Sequence, residues 1–141
     1  MNGDPEPRPL AGSRYGRWLA ARREGIYMPA ADIWVDPAVP VARALVTHGH
    51  ADHARGGHGA VWATPETLAI MGVRYGDQIA GHAATIGYGE AIDLGGGITA
   101  SFFPAGHVLG SAQILLECAG ERIVVSGDYK RAADPTCRPF E

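Results

Sequence analysis

The chain has 141 residues and a mass of 14.8 kDa, the size of a single domain. Hydrophobic residues make up 46% and the net charge is −3, so the chain can bury a core and has no bulk attraction for nucleic acid. With 20 glycines and 10 prolines it should be rich in turns and short strands. A long coiled coil, a collagen repeat and a membrane span of ~18 unbroken apolar residues are excluded.

Residues 1–12 hold three prolines and two acids without an apolar run, and read as a loose tail rather than a signal peptide. Residues 13–24 fit a short helix with Ser13 as cap and Gly25 as stop. They fit equally a hairpin pairing residues 18–20 with 26–28 across the polar turn 22–25. Ile33, Trp34 and Val35 form a short strand stopped by Asp36-Pro37. Residues 42–46 form a second and residues 61–63 a third. Thr64 then caps a helix with Pro65 at its first position, and Leu68, Met71 and Val73 supply its apolar side until Gly76-Asp77 ends it. Residues 90–94, 98–103, 113–118 and 122–125 are further strands. Gly95-Gly96-Gly97 and Ala119-Gly120-Glu121 turn them into hairpins. Strands, one helix, then a run of strands predict an α+β domain with a sheet covered on one side.

The tryptophans, Trp18, Trp34 and Trp62, lie in apolar runs and read as core. Cys118 and Cys137 form neither a CxxC nor a disulfide framework, and read as reduced thiols of a cytosolic protein.

The strongest chemical signal is Thr47-His48-Gly49-His50-Ala51-Asp52-His53, directly after a buried strand. Side chains at i and i+2 share a face of an extended segment, so His48 and His50 can meet one metal ion. Asp52 and His53 point to a neighbouring position once the chain has turned. Gly49 and Ala51 keep the backbone slim enough to wrap closely round the ions. Imidazole and carboxylate donors suit zinc, with manganese or iron as alternatives. Two later strands end on Gly106-His107 and on Gly127-Asp128. Alone, His107 reads as structural and Asp128 as a turn residue; beside the first cluster both become candidate ligands. His58 and His82 lie outside these motifs and read as non-ligands. Lys130, Arg131 and Arg55 are candidate phosphate contacts or plain surface cations. Gly110-Ser111 offers a backbone amide or hydroxyl to phosphate, or a tight turn.

HxHxDH, a later GH after a strand and a later GD together resemble the metallo-β-lactamase fold. Within it, GHVLGSAQ (106–113) and SGDYK (126–130) resemble the β-CASP nucleases, and more narrowly the bacterial exonucleases associated with DNA ligase. Gly25-Ile-Tyr-Met-Pro29, Ile33-Trp-Val-Asp36-Pro37 and the final residues 134–141 fit the same group. The likeness runs from about residue 18 to the end. It implies the αββα-type fold, with His48, His50 and His107 holding a first Zn2+ and Asp52 and His53 a second. Asp128 would bridge the two, Asp52 and Asp128 would be the catalytic carboxylates, and Asp36 would brace the metal loop from behind. Ser111 and Lys130 would contact substrate. Two metals ~3.5–4 Å apart can clamp the attacking and leaving oxygens of a phosphoryl transfer, and can equally serve attack on a carbonyl.

The resemblance further implies a DNA exonuclease working beside an ATP-dependent DNA ligase in repair. Alternatives are an RNA-processing nuclease, a small ester, thioester or lactone hydrolase on the same fold, and a non-catalytic metal-binding remnant. Members of the family are usually much longer, carrying a β-CASP insert and a C-terminal half with further histidines. No histidine but His107 stands beyond residue 82 here. The expected second metal is thus one protein ligand short, and residues 13–141 are expected to be the N-terminal part of a metallo-β-lactamase domain. No membrane partner is expected, and the sequence carries no signal for an oligomeric state.

Overall fold

The computed structural model describes Arg8–Pro9 and residues 18–141. Among the described residues, two β-sheets and one α-helix make three layers. A seven-stranded mixed sheet runs in chain order: β1 Arg8–Pro9, β2 Ala20–Arg22, β3 Gly25–Met28, β4 Ile33–Val35, β5 Arg43–Leu45, β6 His58–Ala63 and β7 Ala80–Thr85. β1 to β4 pair antiparallel, whereas β4 to β7 pair parallel. A four-stranded antiparallel sheet follows, ordered β11-β10-β9-β8, from β8 Ala91–Gly95, β9 Ile98–Pro104, β10 Ala112–Cys118 and β11 Glu121–Val125.

The alternation of β9 explains its place. Ile98, Ala100, Phe102 and Pro104 all point inward, and the residues between them are half-exposed. Phe102, Ile98, Ile114 and Leu116 from this sheet meet Met28, Ile33, Val35 and Leu45 from the larger one, and all of them are buried. The other face of the large sheet carries a smaller core, in which Ala44, Val46, Val61 and Ala63 pack under Met71 of helix α1 (Pro65–Tyr75). The architecture is α+β, with one helix outside two stacked sheets.

Several local expectations need adjusting. The segment before β3 is a hairpin, with Ala20 opposite Tyr27 and Arg22 opposite Gly25. The alternative helix cap, Ser13, lies outside the described residues, as does the expected tail apart from Arg8–Pro9. Those two residues pair with Ala20 and Ala21. Thr64 does cap α1, its hydroxyl accepting from the Thr67 N–H at 3.3 Å. Val73, however, is 92% exposed, because Thr67 and Met71 define the buried stripe and Val73 falls on the opposite side. Strand β7 carried no sequence signal: Ala-Gly-His-Ala-Ala-Thr has neither alternation nor β-branched residues until its end. It forms because parallel pairing to β6 satisfies its backbone. Trp18 and Trp34 are buried and Trp62 is half-buried against the inter-sheet core.

Strands β4 and β5 run parallel, and β9 and β11 both run opposite to β10. The carboxyl ends of all four therefore open onto one rim, where an open sheet presents ligands.

Phe102→Ala should leave a cavity between the sheets and cost about 3–5 kcal/mol. Val124→Ala, at a 54% exposed position, should change stability by less than about 0.5 kcal/mol. Urea denaturation of both variants tests the layering, and equal effects would contradict it.

Candidate metal centre

Each of the four strand ends delivers one part of the site. Asp36 follows β4, the segment from Thr47 to His53 follows β5, His107 follows β9 and Asp128 follows β11. Donor atoms of His48, His50, His107 and Asp128 lie within 4.8 Å of one another, and a second such group joins Asp36, His48 and His53. His107 Nε2 is 3.3 Å from His50 Nδ1, and Asp128 Oδ2 is 3.5 Å from His48 Nε2 and 3.8 Å from His107 Nε2. On the other side, His53 Nε2 lies 3.5 Å from Asp128 Oδ2 and 3.6 Å from Asp52 Oδ2. Asp128 thus stands between the His48–His50–His107 group and the Asp52–His53 pair.

The supports behind these side chains are as specific. Asp36 Oδ1 accepts the Thr47 backbone N–H at 2.8 Å, and Oδ2 accepts the Thr47 hydroxyl at 2.6 Å. His53 Nδ1 also lies 2.8 Å from Oδ2 and donates to it. Asp36 thus hydrogen-bonds directly to His53 and reaches His48 only through the Thr47 hydroxyl, which lies 3.0 Å from His48 Nδ1. Asp36 itself adopts φ +47°, a left-handed conformation that aspartate tolerates better than most residues. That kink turns its carboxylate towards the β5 loop.

Electrostatics separate the two central histidines. His48 is fully buried, and burial, reinforced by the nearby His53, pushes its pKa down to about 4. It is a neutral imidazole at neutral pH. The hydrogen bond to Asp36 raises the pKa of His53. His48 Nε2 is buried and has no hydrogen-bond partner. A buried ring nitrogen without a partner, facing a carboxylate and two more imidazoles, is what a divalent cation would satisfy. The donor set of three imidazoles and one carboxylate fits such an ion.

The loops are bolted to one another. The Ala112 N–H donates to the Thr47 carbonyl at 2.7 Å, and the Lys130 N–H to the Ala105 carbonyl at 2.9 Å. Gly127, at φ +55°, leaves the space that Thr47 Oγ1 uses, since a Cβ there would sit 2.8 Å from it. Helix α1 fastens both ends. Thr64 Oγ1 donates to the Gly110 carbonyl at 2.7 Å, and Arg74 Nη2 to the Gly49 carbonyl at 2.8 Å.

Some expected roles change on this geometry. A Cβ on Gly49 would lie 2.8 Å from Ile70, so Gly49 is small for the sake of helix packing rather than for wrapping an ion. Ser111 is buried, and its Oγ accepts the N–H groups of His107 and Val108 at 3.0 and 3.2 Å. It shapes the His107 turn and does not face a substrate. The Lys130 ammonium, two residues beyond Asp128 in sequence, is engaged with Asp134 Oδ2 at 3.1 Å. Arg55 and Arg131 are exposed. His58 is buried away from the rim with Nδ1 accepting the Val41 N–H at 3.2 Å, and His82 is exposed on β7; neither belongs to either donor group. Thr47 and Arg74 were missed. Thr47 could have been suspected from its place beside the first histidine, whereas a basic residue in a last helical turn carries no such signal.

A groove of about 670 Å³ runs from this cluster between the β2–β3 hairpin and β11. Leu19, Ile26 and Val124 contribute its apolar wall, and Asp36, Asp52 and Asp128 are among its lining residues.

No protein-family model matches the chain. A probable DNA ligase of Opitutus terrae is 34% identical over 86% of the chain. Endoribonuclease YSH1 of Mycosarcoma maydis is 30% identical over 64% of it, and ribonuclease TTHA0252 of Thermus thermophilus 31% identical over 60%. The chain spans only 12%, 14% and 25% of the lengths of these relatives. Two of these three relatives are named as ribonucleases and one as a DNA ligase, in keeping with the resemblance of HxHxDH, GHVLGSAQ and SGDYK in this sequence to the β-CASP branch of the metallo-β-lactamase fold.

Proposed function

We propose that the chain carries the metal-holding half of a nuclease site that hydrolyses phosphodiesters, in a DNA exonuclease acting beside a DNA ligase. The observation that carries the reading is the convergence of His48, His50, His107 and Asp128 from three strand ends, with His48 Nε2 buried and unpartnered. The name of the Opitutus terrae relative supports the link to DNA. The two ribonuclease relatives support a second reading, in which the substrate is RNA.

In this reading His48, His50, His107 and Asp128 would hold one zinc ion, and Asp52 and His53, with Asp128, would hold a second. Zinc held there supplies Lewis-acid stabilisation of negative charge on a phosphate oxygen and makes water a stronger acid. The protein supplies the rest. Asp36 and Thr47 hold His53 and His48 in place. Asp52, with a side chain 75% exposed at the mouth, is placed to orient a water and take its proton. The apolar wall of the groove takes the sugar and base of the nucleotide, with the phosphate at the acidic end. Hydrolysis forms a bond from the water oxygen to phosphorus and breaks one P–O ester bond, leaving a phosphate monoester and a hydroxyl. Free Cys118 and Cys137 support a cytosolic setting.

Zinc in 100-fold excess over its dissociation constant should stabilise the folded chain by about 2.7 kcal/mol, seen as a rise in Tm that EDTA reverses. His107→Ala should weaken zinc binding more than the about 10–100-fold typical of losing an outer support. An unchanged affinity would remove His107 from the ligand set.

The zinc-loaded protein should be offered end-labelled single- and double-stranded DNA, RNA of the same sequence, and a thioester. Shortening of DNA from an end supports the exonuclease, and cleavage of RNA alone supports the second reading. Thioester turnover without nucleolysis sinks both. Asp128→Asn should lower nucleolysis at least about 100-fold, and near-normal digestion would refute its assignment.

A further inference from the structure

We propose that Thr47 is a positioning residue that fixes the tautomer of His48 and so aims its Nε2 lone pair into the donor cluster. Thr47 is 1% exposed, so its hydroxyl has no access to bulk water. Its Oγ1 lies 2.6 Å from Asp36 Oδ2 and 3.0 Å from His48 Nδ1. A hydroxyl has one hydrogen, and the Asp36 carboxylate only accepts, so that hydrogen goes to Asp36. The second contact is then a hydrogen bond only if His48 Nδ1 carries a hydrogen and donates to Thr47. Nε2 is left as the lone-pair nitrogen.

The opposite tautomer has an outlet that Thr47 closes off. With its hydrogen on Nε2, His48 would point a donor at Asp128 Oδ2, 3.5 Å away. Its Nδ1 would then set a lone pair against a hydroxyl oxygen whose hydrogen is already committed. That costs a buried hydrogen bond and adds lone-pair repulsion in its place. His53 needs no intermediary, because its Nδ1 donates directly to Asp36. One carboxylate therefore sets both imidazoles, the second through a hydroxyl relay.

Thr47 also registers the neighbouring loops. Its carbonyl accepts the Ala112 N–H next to the His107 turn. Its hydroxyl and Cβ occupy the space left open at Gly127, beside Asp128.

The tautomer is read directly in the metal-free full chain at neutral pH, from 15N shifts and two-bond proton–nitrogen couplings of His48. Protonated-nitrogen character at Nδ1 and lone-pair character at Nε2 is the expected result. The reverse overturns the proposal without any variant being made. Thr47→Val keeps the shape and removes the relay; it should shift His48 towards the Nε2–H form, and Thr47→Ser should restore the Nδ1–H form. Zinc titration should follow the same order, weakened about 10–100-fold in the Val variant and within about threefold of the parent in the Ser variant. A Val variant with the parent's tautomer and zinc affinity refutes the role. The zinc arm rests on the metal-holding reading above, but the tautomer arm does not. An Nδ1–H His48 in a chain that binds no zinc would sustain the Thr47 assignment and sink the proposed function.

Discussion

One carboxylate, that of Asp36, sets the order of the rim. It follows a buried strand, turns back through a left-handed backbone conformation and accepts three hydrogen bonds from the neighbouring loop. Each of those bonds fixes something different. The backbone bond to Thr47 sets where the β5 loop leaves the sheet. The hydroxyl bond commits the Thr47 hydrogen and, through it, orients His48. The bond to His53 orients a second imidazole. Removing the carboxylate would free all three at once, so its contribution cannot be apportioned among them as independent terms. Support of this kind separates a set of ligands that merely lie near one another from one held ready for an ion.

The same arrangement carries an electrostatic cost that points to what it holds. Asp36, Asp52 and Asp128 gather around four imidazoles, one of them buried and kept neutral by that burial. The chain as a whole is acidic. A phosphate backbone approaching this rim alone would meet carboxylates of its own sign. Under the proposed function, divalent cations among the imidazoles would reverse the sign where a phosphate would sit, while leaving the surrounding surface unattractive. Binding and chemistry would then depend on the same ions, and no broad basic patch would be needed to engage a polyanion.

The legible parts of the site are those in which chemistry is local in sequence. His48, His50, Asp52 and His53 fall within six residues, His107 closely follows a strand whose alternation is plain, and Asp128 closely follows an apolar run. Strands β4, β5 and β8 to β11 were readable for the same reason: apolar runs bounded by prolines and glycines. What could not be read depends on tertiary packing. Strand β7 exists because β6 offers it an edge, not because its alanines prefer extension. Val73 looks apolar in the helix, but Met71 two positions earlier fixes which stripe is buried. Ser111 sits beside a candidate ligand and offers a hydroxyl, yet only the folded turn reveals that two backbone N–H groups already claim it. Gly49 invites an explanation from its ligand neighbours, and the real one is Ile70, a residue 21 positions away in another element.

Helix α1 joins these observations, although it supplies no ligand. Its amino end grips the His107 turn through Thr64 and Thr67, which both donate to the Gly110 carbonyl. Its carboxyl end reaches the His48–His50 loop through Arg74 and the Gly49 carbonyl. An α-helix of 11 residues is about 16 Å long and stiff along that length, so it acts as a strut between two loops that approach from different sheets. The glycines at both contacts are required by closeness: a Cβ at Gly110 would lie 2.7 Å from Glu66, and one at Gly49 would meet Ile70. The small core beneath Met71 therefore does more than bury apolar surface. By seating the helix against the large sheet it sets the separation of the two loops, and hence whether His107 and His50 stand close enough to share one ion. A defect in that core, far from any donor atom, would act on the site through distance rather than through chemistry.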